Sequence, residues 1–229
     1  MQSFVFSTTS SGLPICGFKF GDSGPRVLVL GGVHGDEIEG VWAAYGLLGR
    51  LTAEPSQRLE FKLQLTLVPA FNLDGVLTRE RRNARMVDLN RNLPTKDWSP
   101  LIATERYHPG PSAASEAENH GLIRYIQSER PEFILSLHSW KPLLNPNGNC
   151  SPEIEVIAKE TGYKIQPDMG YPTPGSLGSW GNELGIPILT YEIERGLDRE
   201  SVLSVHLPAI CMGLRASESR TFRVTGDRS

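Results

Sequence analysis

Two side chains that could hold a metal ion lie three positions apart, as His34 and Glu37. They follow the apolar run VLVL at 27–30 and a Gly-Gly pair at 31–32. A strand that ends in such a turn exposes its next side chains at the carboxyl edge of a sheet, where open α/β folds bind their ligands. Imidazole and carboxylate groups are common zinc ligands. Because His-x-x-Glu is a short motif, the pair predicts a metal site only if a third ligand can reach it.

That third ligand is His138, which directly follows the apolar run FILSL at 133–137. A catalytic zinc needs three protein ligands and a fourth position open to water. The end of this strand could project His138 toward His34 and Glu37, although a capping or core histidine is the alternative. The other histidines lack a nearby matching ligand and are interpreted as ordinary: His108, His120 and His206.

The segment VDLNRN at 87–92 supplies groups that suit an anion site. Asp88 could receive the outer N–H of a metal-bound histidine, since such imidazoles usually donate it to a carboxylate. Arg91 has a planar fork for a carboxylate in two-point contact, and Asn90 can donate an amide hydrogen bond beside it. The segment lies in a weakly periodic stretch, 71–111, and loops of that length are usually functional. We therefore predict a clamp for a free carboxylate.

A general base is available in the run IPILTYEIE at 186–194. Side chains alternate along a strand, so Glu192 and Glu194 share one face. Either carboxylate could take a proton from an attacking water molecule and pass it to a leaving amine. The residues alone leave the choice between the two open.

Composition favours one soluble enzyme domain. The 229 residues suffice for a single α/β core, and 23 basic against 26 acidic residues leave a formal net charge of −3 without a basic stripe. Nucleic acid is therefore not an expected partner. No apolar run is long enough to cross a membrane and the start lacks a leader pattern, so we expect no membrane partner and a cytoplasmic location. Three cysteines without close pairing argue against a disulfide framework.

Apolar periodicity places the elements that must position these groups. Strands are predicted near 16–20, 27–30, 61–68, 133–137 and 186–193, and helices at about 38–51, 113–128, 153–161 and 200–214. Strands that alternate with helices favour a mostly parallel or mixed sheet covered on both faces. We expect one catalytic domain over 1–229, with 218–229 as a flexible tail.

The motifs in this order resemble the zinc carboxypeptidase superfamily typified by carboxypeptidase A: HGDE at 34–37, NLDG at 72–75, DLNRN at 88–92, HS at 138–139 and TYE at 190–192. The resemblance implies a three-layer α/β/α sandwich around a mixed twisted sheet. It also implies one Zn²⁺ per chain, held by His34, Glu37 and His138, with Asp88 as the partner of His34.

The same resemblance implies roles for the remaining groups. Asn90 and Arg91 would form the carboxylate clamp, and Glu192 rather than Glu194 would be the general base. The family also has an arginine that stabilises the oxyanion of the tetrahedral intermediate, as an electrostatic catalyst should. Its position, seven residues before Asp88, is occupied by Arg81, with Arg82 as a competitor.

The segment GYPTPGSLGSW at 170–180 is similar to the murein peptide amidase subgroup of this superfamily. That similarity implies a compact cytoplasmic enzyme of cell-wall recycling that cuts the γ-D-glutamyl-meso-diaminopimelate bond of small anionic murein peptides. The alternative interpretation of this stretch is a rigid turn that opens a helix, with Ser176 or Ser179 as its cap. Met86 stands where a glycine is common, which would allow the loop that carries Arg81 a different path.

Three other functions share parts of this site. One is a metallocarboxypeptidase that acts on ordinary peptides, and another is an N-acyl amino acid deacylase of the aspartoacylase type. The third is an inactive protein that binds peptides in a zinc-dependent manner. The complete set of ligands, base and clamp favours an enzyme over the third.

Overall fold

The fold is built on a mixed sheet, seen in a computed structural model that describes residues 1–101 and 104–221. Within this part of the chain the strand order is β1-β2-β4-β3-β5-β8-β6-β7. The strands are β1 (Gln2–Thr8), β2 (Pro14–Phe20), β3 (Arg26–Gly31), β4 (Gln64–Val68), β5 (Phe133–Trp140), β6 (Leu143–Asn147), β7 (Lys164–Ile165) and β8 (Ile188–Glu194). Strands β4, β3, β5 and β8 run parallel at the centre. On one side β2 pairs antiparallel with β4, and on the other side β6 pairs antiparallel with β8, so the sheet is mixed.

Helices cover both faces of the sheet. They are α1 (Ile38–Leu51), α2 (Leu73–Thr78), α3 (Ala117–Glu129), α4 (Glu153–Thr161), α5 (Leu177–Leu184), the short α6 (Arg199–Ser201) and α7 (Leu207–Ser217), with a π turn at Val202–His206 between the last two. Val27 and Val29 pack into a core with residues of α1, α4 and α7. Leu28 and Leu30 belong to the opposite core, with residues of α3 and α5. The predicted α/β/α sandwich is confirmed, because a central strand buried on both faces requires two apolar layers.

Most predicted elements are present, and α1 and α4 have the predicted bounds. The predicted strand over 61–68 begins only at Gln64. The prediction missed β1, an edge strand with four exposed residues, and β6, which contains Pro146. The predicted helices do not include α5, a short helix with two glycines in the sequence LGSWGNEL, which only the alternative interpretation of 170–180 anticipates. Exposed edges, proline and glycine all weaken the apolar pattern on which the prediction depends.

The end of α7 and the nearby Arg220 contact α4. Ser217 lies in α7, where its hydroxyl donates to Glu153 Oε1 at 2.7 Å. Arg220 Nη2 donates to Glu153 Oε2 at 2.6 Å. The predicted tail over 218–229 therefore begins with residues held to the fold, and its remainder, 222–229, lies outside the described residues. No helix in the described ranges combines the length and apolar character needed to cross a membrane.

Three adjacent parallel strands, β3, β5 and β8, place the candidate catalytic side chains at one edge of the sheet. Strand β3 ends at Gly31, where a Cβ would lie only 2.7 Å from the Cβ of Ala44 and from the carbonyl oxygen of Pro69. This close approach requires glycine and leads the chain directly to His34. On β5 and β8, His138 and Glu192 are register partners. The carboxyl edge therefore collects groups from β3, β5 and β8.

Candidate active site

The structure brings His34, Glu37 and His138 into one buried cluster. His34 Nδ1 lies 2.9 Å from Glu37 Oε1, and His138 Nδ1 lies 2.8 Å from Glu37 Oε2. The two Nδ1 atoms are 3.2 Å apart. Three donor atoms of the types that zinc prefers thus face one another, as the sequence predicted.

The donor set fits a zinc ion. Zinc binds imidazole nitrogen and carboxylate oxygen at about 2.0–2.2 Å in a tetrahedral arrangement, which separates ligand atoms by about 3.4 Å. The observed separations of 2.8–3.2 Å are slightly shorter than that value, and the three residues are each at most 4% exposed. Two histidines and one glutamate would hold the ion and leave a fourth position for substrate or water.

Each histidine is oriented through its second nitrogen. His34 Nε2 lies 3.1 Å from Asp88 Oδ1, and His138 Nε2 lies 3.0 Å from the hydroxyl of Ser136. Burial opposes ionisation of Asp88, but Arg81 and His34 hold its pKa far below the usual value. Such outer contacts fix the tautomer and the ring orientation of a ligand histidine. Sequence analysis did not single out Ser136, although it precedes His138 on the same face of β5.

Of the two candidate arginines, Arg81 reaches the cluster. Its Nε atom donates to Asp88 Oδ2 at 3.0 Å, and Nη1 donates to Glu37 Oε1 at 3.1 Å. Arg82 instead donates to Glu80 Oε1 at 3.2 Å. The loop is fixed by Asn72, from the NLDG motif, which donates to the carbonyl oxygen of Arg81 at 3.1 Å.

The loop that carries Arg81 keeps a left-handed residue at Met86, whose φ is 61°. An L-residue in this conformation is strained by roughly 1–2 kcal/mol. Hydrogen bonds from the turn to the side chain of Asn83 hold Met86 in this strained conformation. The Oδ1 atom of Asn83 accepts the backbone N–H groups of Arg85 and Val87, each at 3.0 Å.

Of the two strand acids, Glu192 faces the cleft and is 9% exposed, whereas Glu194 is exposed at the end of β8. Among the described residues, Glu192 Oε2 has no hydrogen-bond partner. Burial raises the pKa of Glu192 to about 7, against the opposing charge of His138. A carboxylate with an unengaged oxygen beside a candidate metal site has the properties of a general base.

Asn90 and Arg91 line the same cleft, as predicted. Asn90 Oδ1 accepts the backbone N–H of Leu177 at 2.8 Å, at the start of α5. Arg91 Nη1 donates to the carbonyl oxygen of Asn90 at 2.7 Å. Helix α5 itself is capped by Ser176, whose hydroxyl accepts the backbone N–H of Ser179 at 3.1 Å. The turn that opens a helix is therefore present, and it also orients the amide of Asn90.

The cleft has a volume of about 770 Å³, enough for a small peptide. One of its walls is Tyr107, which sequence analysis missed. Its ring lies 5.2 Å from the guanidinium carbons of both Arg81 and Arg91, at distances typical of cation-π contacts. No motif or spacing distinguishes this tyrosine in the sequence, because the contact depends on how the long loop folds back.

Comparisons with known proteins identify relatives of this chain. The model of the zinc carboxypeptidase family matches residues 1–187. Murein peptide amidase A of Vibrio campbellii (strain ATCC BAA-1116) is 30% identical over 233 residues, which cover 90% of this chain and 90% of the relative. The crystal structure of murein-tripeptide amidase from Escherichia coli O157 superimposes with a TM-score of 0.76 at 26% identity, over 94% of this chain and 92% of that one. Bovine thrombin-activatable fibrinolysis inhibitor shares the fold, with a TM-score of 0.81 at 17% identity over 94% of this chain and 89% of that one.

Proposed function

The chain belongs to the zinc carboxypeptidase family, and on that premise we propose that it hydrolyses the γ-D-glutamyl-meso-diaminopimelate bond of murein peptides. The similarity to murein peptide amidase A over 90% of both chains supports this substrate class. The observation that carries the proposal is the position of Glu192. Its buried carboxylate has an oxygen without a described partner and shares one cleft with the His34–Glu37–His138 cluster and with Arg91.

The proposed reaction is hydrolysis of an amide. A zinc ion held by His34, Glu37 and His138 would polarise the scissile carbonyl and lower the pKa of water. Glu192 takes a proton from the attacking water and transfers it to the leaving amine. The proton transfer is favoured near neutral pH because burial raises the pKa of this carboxyl group to about 7.

Arg81 stabilises the negative charge that develops on the carbonyl oxygen. Its contacts to Asp88 and Glu37 fix the guanidinium before substrate arrives, and its remaining N–H groups can donate to the oxyanion. A donor that needs no reorganisation contributes most to the transition state. The stacked ring of Tyr107 limits the movement of this guanidinium further.

Asn90 and Arg91 hold the carboxylate of the diaminopimelate residue next to the scissile bond. Among the described residues, the amide nitrogen of Asn90 makes no hydrogen bond, so it is available to donate. The fork of Arg91 suits two-point contact with a carboxylate. A free carboxylate beside the scissile amide is common to diaminopimelate peptides and to the substrates of carboxypeptidases, so this clamp alone does not distinguish them.

We place this activity in the cytoplasmic recycling of wall peptides, with one zinc ion per chain. The three cysteines are free thiols, and Cys16 is exposed. Exposed free thiols suit a reducing compartment. The small anionic substrate matches a cleft with several arginines, which include Arg81 and Arg91.

Mass spectrometry of the products tests this proposal. The protein is loaded with zinc and incubated with L-Ala-γ-D-Glu-meso-diaminopimelate, and a chelated sample serves as the control. We expect free diaminopimelate only in the zinc-loaded sample. An intact tripeptide would refute the amidase proposal and favour either ordinary peptides or N-acyl amino acids as substrates.

A further inference from the structure

Two arginines at the mouth of the cleft share the carboxylate of Asp36. Arg106 Nη2 lies 3.2 Å from Asp36 Oδ2, and Arg195 Nη2 lies 2.9 Å from the same oxygen. Arg195 Nη2 also donates to the backbone carbonyl oxygen of Asp36 at 2.7 Å. Two guanidinium groups against one carboxylate leave a net positive charge at this point. We call Arg106 and Arg195 the rim pair.

The rim pair is held beside the groups of the proposed reaction. Asp36 directly precedes Glu37, and Arg195 follows Glu192 by three residues. The backbone N–H of Arg195 donates to the carbonyl oxygen of Trp140 at 3.0 Å, which fixes the chain where β8 ends. Both members of the rim pair line the same cleft as the cluster. A ligand at the rim pair would therefore share this cleft with the groups of the proposed reaction.

The rim pair has donors available. Their side chains are 45% and 37% exposed, and only the Nη2 atom of each contacts Asp36. Across residues 1–101 and 104–221, the Nε and Nη1 groups of Arg106 and Arg195 donate no hydrogen bond. Guanidinium groups with free N–H groups in a fixed fork suit a planar carboxylate.

The rim pair is separate from the Asn90–Arg91 clamp. Arg91 donates to the carbonyl oxygen of Asn90 and stacks on Tyr107, and it makes no described contact with Asp36. Besides Arg81, the cleft thus presents the rim pair and Arg91, of which Arg91 belongs to the clamp for the leaving side. A substrate that uses both carries a second carboxylate besides the one at the clamp.

We propose that the rim pair of Arg106 and Arg195 binds a second substrate carboxylate, on the acyl side of the scissile bond. This inference rests on the proposed function. In a γ-linked glutamyl residue, three carbons (Cγ, Cβ and Cα) separate the scissile carbonyl from the free α-carboxylate. The backbone of an ordinary α-linked peptide has no anion at that distance on the acyl side. The rim pair would therefore select γ-linked glutamyl substrates over ordinary peptides.

The test compares two tripeptides that differ only at this group. One is L-Ala-γ-D-Glu-meso-diaminopimelate, and the other carries a neutral carboxamide in place of the α-carboxylate of the glutamyl residue. We expect kcat/KM to be about tenfold higher for the acid, the effect of a charged hydrogen bond weakened by solvent exposure. Arg106→Gln and Arg195→Gln should each lower kcat/KM for the acid by about tenfold and change that for the amide by less than about twofold. Arg124→Gln, on the exposed surface of α3 and outside the cleft, should leave both values unchanged.

The outcomes separate this inference from the proposed function. A variant that still hydrolyses the carboxamide tripeptide is folded. Equal kcat/KM for the two tripeptides, or equal losses on both in the variants, would overturn the rim-pair inference while the amidase function stands. If neither tripeptide is cleaved, the proposed function fails, and calorimetry on the Glu192→Gln variant decides the inference by itself. The rim-pair inference predicts that the tripeptide with the α-carboxylate binds more tightly than its carboxamide analogue and that Arg195→Gln removes this difference. Equal affinities for the two tripeptides would overturn the inference.

Discussion

Replacing Asp88 by Asn should weaken zinc binding without removing any of the three ligands. Asp88 is completely buried, and its two oxygens contact His34 at 3.1 Å and Arg81 at 3.0 Å. Asn has the same shape, so its oxygen can still accept from the backbone N–H of Asn90, now 2.9 Å away. What is lost is the negative charge that favours the correct tautomer of His34 and that balances Arg81.

The expected size follows from these two contacts. Loss of a carboxylate partner of a ligand histidine typically lowers metal affinity by 10- to 100-fold, or about 1.4–2.7 kcal/mol. The loss of zinc affinity should lie toward the upper end of this range. Without the charge of Asp88, Arg81 pairs with Glu37 alone and competes more strongly with zinc for the Glu37 carboxylate.

Competition with a chromogenic chelator measures the zinc affinity of the Asp88→Asn variant. Asp22→Asn is the matched control, because Asp22 is exposed and has no described contact. Circular dichroism of the metal-free proteins shows whether the variant is folded. A folded Asp88→Asn protein with the zinc affinity of the control would refute the reasoning that Asp88 supports His34 as a ligand.

Three further predictions concern the base, the clamp and a buried histidine. Glu192→Gln should lower kcat by roughly a hundredfold or more with unchanged zinc content, whereas Glu194→Gln should have near-normal activity; similar kcat values in the two variants would contradict the assignment. Arg91→Lys should raise the KM for the tripeptide by about tenfold with a smaller change in kcat, because lysine lacks the fork; an unchanged KM would contradict the clamp. Burial lowers the pKa of His206 to about 4, below the value of about 6.5 expected in the unfolded chain. The contribution of neutral His206 to the free energy of unfolding is therefore complete above pH 6.5 and is lost as the pH falls toward 4. Urea unfolding should therefore show a loss of about 2 kcal/mol between pH 7 and pH 4.5 that His206→Gln removes, and an equal loss in that variant would assign the acid sensitivity to other groups.

The approach of His34, Glu37 and His138 could be predicted from the sequence because each follows or adjoins the end of an apolar strand. Parallel strands end at the same edge of a sheet, so position along the chain predicts proximity. The same reasoning placed Glu192 at this edge. It could not separate Glu192 from Glu194, since the two share a face and differ only in depth within the cleft.

Contacts that depend on the path of the long loop could not be predicted. Arg81 and Arg82 are adjacent, and only the folded loop directs one to Asp88 and the other to Glu80. Tyr107 belongs to no motif, and the HGDE motif indicates no role for Asp36, because the contacts of both join residues far apart in the chain. These positions are fixed by tertiary hydrogen bonds and stacking, to which apolar periodicity is insensitive.

We propose that this chain prefers a γ-D-glutamyl-diaminopimelate bond to other amides that suit the same His-Glu-His site. The most direct test of this preference is kcat/KM for three substrates under identical zinc-loaded conditions: L-Ala-γ-D-Glu-meso-diaminopimelate, an ordinary tripeptide with a free C-terminal carboxylate, and N-acetyl-L-aspartate. We expect the murein tripeptide to exceed both others by at least about tenfold, the effect of one additional charged contact at the acyl side. A higher kcat/KM for the ordinary tripeptide or for N-acetyl-L-aspartate would contradict the proposed preference for the murein peptide.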